Sequence, residues 1–127
     1  MKINHPVNSE EIHLNEDTVI VSKTDLKGSI TYVNGEFSRI SGYSEAELLG
    51  KNLDIVRHPD VPPAAVKDLR ETIEVGRPWT GFVKHRAKSG AFYWVQTNVT
   101  PIYNDGRIVE YMSVRRRISE QQKQAAG

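Results

Sequence analysis

Three β-like runs close this chain, Trp79 to Ala87, Phe92 to Tyr103 and Ile108 to Ile118, separated by Lys88-Ser89-Gly90 and Asn104-Asp105-Gly106. Links this short leave no room for a crossover, so the three runs predict consecutive antiparallel strands. Each link supplies a glycine where a tight hairpin needs positive φ. Everything upstream must then pack against a sheet that already contains this meander.

The first half supplies two more strands and all the helices. Thr18-Val19-Ile20-Val21-Ser22 is apolar and β-branched, Asp25-Leu26-Lys27-Gly28 reads as a turn, and Ser29 to Val33 resumes the strand pattern. Asn34 can cap a short helix with Phe37 and Ile40 on one face, ended by Gly42. Ser44-Glu45-Ala46-Glu47 is a capping box before Leu48-Leu49, and Gly50 stops that helix. From Lys51 to Pro63 the chain reads as irregular. A longer helix then starts at Pro62 or Pro63 and runs to Gly76, with Val66, Leu69, Ile73 and Ala65 on one side.

The order predicts an α+β fold, a five-stranded antiparallel sheet with short helices packed on one face. In the fourth strand, alternation puts Tyr93, Val95, Thr97 and Val99 inward and Trp94, Gln96, Asn98 and Thr100 outward, so Trp94 marks a docking surface on the outer face. In the last strand Tyr111, Ser113 and Arg115 share one side. Three consecutive arginines, Arg115-Arg116-Arg117, cannot all face solvent on a strand. Residues 1–17 read as a polar extension, 18–118 as the domain, and 119–127 as the start of a linker with a helix-favouring Glu120 to Ala126.

Composition narrows the function classes. Seventeen basic and 16 acidic residues leave a net charge of +1, no field to draw nucleic acid or an anionic membrane. With no cysteine there is no disulfide, thiolate metal site or cysteinyl adduct. No phosphate-binding glycine loop, zinc-type histidine spacing or nucleophile motif appears, so the chain reads as a binding module and not an enzyme. No run of apolar residues is long enough to span a bilayer or serve as a signal peptide, which fits a soluble, cytoplasmic domain.

Several segments together resemble the PAS superfamily across Thr18 to Ile118. They are Ile30-Thr31-Tyr32-Val33-Asn34 leading to Phe37, Ile40 to Ser44, Glu47 to Lys51, and Lys88-Ser89-Gly90 followed by Tyr93-Trp94-Val95 and Pro101-Ile102. Val56-Arg57-His58-Pro59-Asp60-Val61-Pro62 and Pro78-Trp79-Thr80-Gly81 are similar to the PAS domain of bacterial aerotaxis (energy taxis) receptors. The tryptophan motif also resembles the flavin-binding PAS domain of a nitrogen-fixation regulator. The resemblance implies noncovalent FAD and redox sensing in a homodimeric parent protein. There the domain would act on an attached HAMP and methyl-accepting region and, through it, a chemotaxis histidine kinase. That parent would be anchored to the inner membrane, with this domain cytoplasmic and not inserted.

The same resemblance assigns cofactor-binding roles. Arg57 would meet a phosphate oxygen, with His58 and Asp60 holding the loop or the adenosine part, although the residues alone read as a solvated loop with a local ion pair. His58 is alternatively a proximal haem ligand, which makes an oxygen-sensing haem domain the second reading. A cofactor-free interaction module is the third. Trp79 would place its ring and indole N–H near the flavin, or be core. His85 stands where flavin-binding relatives commonly carry asparagine. It would make one hydrogen bond to the ring and, titrating near neutrality, couple proton to electron uptake, or else be an exposed strand histidine. Arg115 would stabilise negative charge on a reduced ring. Asn34 and Tyr93 are further candidates, with helix cap and core as their other readings.

Overall fold

A computed structural model describes residues 8–126 of the chain. Its elements follow in order: β1 (Val19–Thr24), β2 (Ile30–Val33), α1 (Gly35–Ser41), α2 (Glu45–Leu48), a 3-10 turn (Leu53–Val56), α3 (Pro63–Glu74), β3 (Trp79–Arg86), β4 (Phe92–Asn104), β5 (Arg107–Arg117) and α4 (Glu120–Ala126). All five strands form one antiparallel sheet in the order β2-β1-β5-β4-β3, so the expected α+β architecture holds.

Local signals set most boundaries. Asn34 caps α1 by accepting from the Phe37 N–H at 3.1 Å, and Ser44 and Glu47 form the reciprocal capping box of α2. Gly42, with φ of 79°, closes α1 through its N–H to the Ser38 carbonyl, a left-handed conformation that glycine adopts without penalty. Ser119 and Gln122 repeat the capping box at α4, at 3.1 and 2.8 Å. One element departs from expectation. The stretch read as irregular contains the 3-10 turn, which Asn52 starts by accepting from the Asp54 N–H at 3.0 Å.

The polar extension also does more than its composition suggests. Within it, residues 8–14 run beside the β3–β4 turn, with the Ile12 N–H to the Phe92 carbonyl at 2.7 Å and the Phe92 N–H to the Glu10 carbonyl at 2.9 Å. Leu14 is buried in the core and Ile12 packs against it. Residues 1–7 lie outside the described part.

The core divides in two. One cluster gathers Ile20, Ile30, Phe37, Leu48, Val56, Tyr93 and Val95 around α1 and α2. A smaller one holds Ile73, Val99 and Tyr111, with Leu69, Trp79 and Ile108 against it, beneath α3. On the outer face Trp94 is half-buried and Gln96 and Asn98 are exposed, as the alternation predicts.

Candidate functional site

A cavity of about 400 Å3 is bordered by members of both core clusters. Strands β1, β5, β4 and β3 form its floor, and the 3-10 turn and α3 its roof. The register of the sheet builds that floor. One row across it reads Ser22, Ser113, Val99, Trp79, and the next reads Ile20, Arg115, Thr97, Gly81. Small polar residues thus stand side by side on the face that the helices cover. The roof contributes the apolar Val56, Val66, Leu69 and Ile73 together with the charged Asp54, Arg57, Arg70 and Glu74.

The deepest groups are polar and short of partners. Arg115 is 2% exposed; its Nη1 donates to Ser22 Oγ at 3.1 Å, its guanidinium lies 5.3 Å from the Phe37 ring centroid, and its Nε has no partner. No carboxylate pairs with it among the described residues. Burial lowers its pKa to about 10, against a smaller opposing effect of Tyr93, so it stays cationic near neutrality. His85 Nδ1 and Thr97 Oγ1 are also buried without a partner. Burial, and then the nearby Arg115 charge, hold His85 well below the usual histidine range.

That last point corrects an expectation. Histidine's ordinary pKa predicts titration near neutrality, but β3 turns His85 inward, where the neutral ring is favoured. Its edge meets Tyr93 at 5.5 Å between centroids. Tyr93 is itself buried, and burial raises its phenol pKa, against a smaller lowering by Arg115.

Of the eight residues singled out from the sequence, Arg57, Trp79, His85 and Arg115 line the cavity, while Asn34, His58, Asp60 and Tyr93 do not. Asn34 is engaged as a brace: Oδ1 accepts from the Val21 and Phe37 N–H groups, and Nδ2 donates to the Val19 carbonyl at 2.8 Å. Buried His58 takes the Asp60 N–H on Nδ1 at 3.0 Å and meets Phe92 edge to face. Burial, then Lys84, lower its pKa. Asp60 pairs with Lys84 at 3.0 Å, and that hydrogen bond holds its carboxyl below the usual range. Arg57 sits beside Asp54 at 3.5 Å and pairs with His85 as an isolated antiparallel bridge. The Trp79 indole N–H, expected to be free for a ligand, donates to Asp68 Oδ2 at 2.8 Å.

Sequence reasoning missed Thr97 and Ser113 as cavity residues, although the signal was present as small polar residues in inward rows. Nothing in the sequence marked Asp68.

The profile of the PAS fold family matches residues 30–115. Over 119 residues, 93% of its length, the chain is 43% identical to the aerotaxis receptor of Escherichia coli strain K12, and over 103 residues 33% identical to the nitrogen fixation regulatory protein of Klebsiella pneumoniae. It spans only 24% and 21% of those two relatives. Among solved structures it is similar to the blue-light photoreceptor Aureochrome1 LOV in its light state, with a TM-score of 0.77, 25% identity, and coverage of 84% of this chain and 87% of that one. A light-oxygen-voltage domain studied with a flavin analogue superposes with a TM-score of 0.74 at 27% identity, covering 84% of this chain and 81% of its own. The similarity to an aerotaxis receptor is the one that the arginine-histidine and tryptophan segments pointed to.

Proposed function

The chain belongs to the PAS fold family, and on that premise we propose that it is the FAD-binding redox-sensing domain of an energy-taxis receptor, signalling and not catalysing. One observation carries the reading. His85, Thr97 and Arg115, whose Nδ1, Oγ1 and Nε are buried and unpartnered, line one cavity from three adjacent strands, opposite a roof that includes Val56, Val66, Leu69 and Ile73. Leaving such groups unsatisfied costs about 1–3 kcal/mol each, and more for a charge. A ligand that meets them relieves that cost.

The donor set fits an isoalloxazine, which has one hydrogen-bonding edge and a flat apolar body. Neutral His85 and Thr97 each offer a donor and an acceptor, and Arg115 offers a cation. The apolar side chains of α3 suit the body, and the half-buried Trp79 borders it on one side. When bound, a flavin supplies reversible electron uptake. Arg115 would favour an anionic reduced ring by direct charge attraction, and His85, held neutral, would be poised to accept a proton at Nδ1 if negative charge develops nearby. Arg57, on the roof, is the candidate for a phosphate oxygen.

Changes at these strands have a route to the outer face. Arg115 and Arg116 are consecutive in β5 but face opposite sides, and α4 follows two residues after the strand ends. Lys123 of α4 reaches Glu11 at 2.5 Å, tying the exit helix to the incoming segment. The parent protein is proposed as a homodimer whose attached HAMP and methyl-accepting region passes the change to a chemotaxis kinase. Among the described residues no helix is long and apolar enough to cross a membrane. A cytoplasmic position for this domain belongs to the same proposal.

A haem reading loses support because His58, its ligand, lies off the cavity with Nδ1 already engaged. A cofactor-free module would leave the three polar atoms unmet. The absorption spectrum of freshly purified protein is the test. Flavin bands, with FAD recovered on denaturation, bear the reading out; a Soret band or a featureless visible spectrum overturns it.

A further inference from the structure

Trp79 lines the cavity on its β3 side in a way that depends on two other residues. β3 is an edge strand, and Trp79, Gly81, Val83 and His85 form its inward column. A Cβ added at Gly81 would fall 2.4 Å from the Trp79 ring, far inside contact distance. The indole therefore lies over its own strand toward Gly81, in space that a side chain there would fill. Its N–H reaches across to Asp68 Oδ2 on α3 at 2.8 Å. Among the described residues this is the one side-chain hydrogen bond from α3 to the sheet, and Ile73 is the one buried residue of that helix. The roof at this end is thus held by the packing of Leu69 and Ile73 and by one hydrogen bond to a carboxylate.

We propose that Asp68 is the positioning residue that holds the Trp79 indole across this end of the cavity, and that breaking their hydrogen bond is the step that lets ligand leave. The inference rests on the cavity being the flavin site. Asp68 itself does not line the cavity, so its action is through the indole. An open indole would also free α3, whose inward side chains are the roof.

The test reads the ring and the ligand separately. The indole N–H resonance of Trp79, assigned with a Trp94→Phe variant, reports exchange with solvent, and flavin release is followed by fluorescence after dilution. Asp68→Ala is expected to accelerate both by about tenfold, the effect of losing a hydrogen bond to a carboxylate. Asp68→Asn keeps an acceptor oxygen and should stay close to the parent. Gly81→Ala, which displaces the ring with Asp68 intact, should behave like Asp68→Ala. Unchanged exchange and release in Asp68→Ala would overturn the proposal, as would faster exchange with unchanged release, or an Asn variant as impaired as Ala. A parent protein without flavin would sink the ligand reading and the gating with it, while the exchange rate would still decide whether Asp68 positions the ring.

Discussion

Arg115 and Ser22 meet across the β5–β1 pair, guanidinium to hydroxyl at 3.1 Å, so a cation buried to 2% exposure donates to a neutral oxygen. An arrangement of this kind is costly in an empty protein and useful in a loaded one, because an anion in the cavity would complete it.

Replacing Arg115 therefore separates stability from redox behaviour. Arg115→Met, similar in length and apolar, should leave the ligand-free protein about as stable as the parent, since it removes a desolvated charge. It should lower the midpoint potential of bound flavin, because a cation favouring the reduced form is gone; each loss of about 1.4 kcal/mol is about 30 mV for a two-electron couple. Spectroelectrochemical titration measures this, and an unchanged or raised potential would show that Arg115 does not face the ring.

His85 predicts a pH effect with a definite sign. An unfolded histidine titrates near about 6.5, whereas burial in the fold holds His85 well lower. Between those two values the unfolded chain binds a proton that the native one refuses. Stability then falls as pH drops through about 6.5, by up to about 1.4 kcal/mol per pH unit, and levels off below the folded value. His58 is shifted in the same direction and adds to the slope. Denaturant titrations from about pH 7.5 to 5 should show a shallower dependence in His85→Asn. Identical slopes in the two proteins would mean that His85 is hydrated.

Arg57 and Asp60 should now part company. Arg57 lines the cavity and Asp60 does not. Arg57→Ala is expected to lower flavin content while costing only about 0–1 kcal/mol of stability, since its pair with Asp54 is partly exposed. Asp60→Ala should retain flavin. Flavin per protein, read beside circular dichroism, decides it, and equal losses in both variants would return the segment to a single cofactor-contacting unit.

Blue light offers a simple check on chemistry. The chain is similar to a light-oxygen-voltage receptor in fold, yet contains no cysteine to attack a flavin ring. Illumination should produce no thermally reverting thiol adduct in the violet part of the spectrum. Appearance of such a band in the purified protein would contradict this.

The amino-acid sequence by itself determined the order of elements, the caps of α1 and α2, and the inward set of β4 and β5. Each of those follows from contacts within a few residues: a period of two along a strand, an Asn or Ser oxygen over the next turn, a glycine at a hairpin. It also showed that the three arginines could not all face solvent, and Arg115 is the one turned in. What it left open was convergence. Thr97 stands beside Arg115, and Ser113 beside Ser22, only because of the register between strands distant in sequence. The segment Arg57-His58-Pro59-Asp60 looked like one unit, but its bridge to β3 turns Arg57 to the cavity while His58 packs on Phe92 and Asp60 reaches Lys84. Asp68 and Trp79, 11 residues apart, meet because α3 crosses the edge of the sheet. Such pairings depend on the packing of whole elements, which no local pattern encodes, and so the tertiary structure alone decided which polar residues share a site.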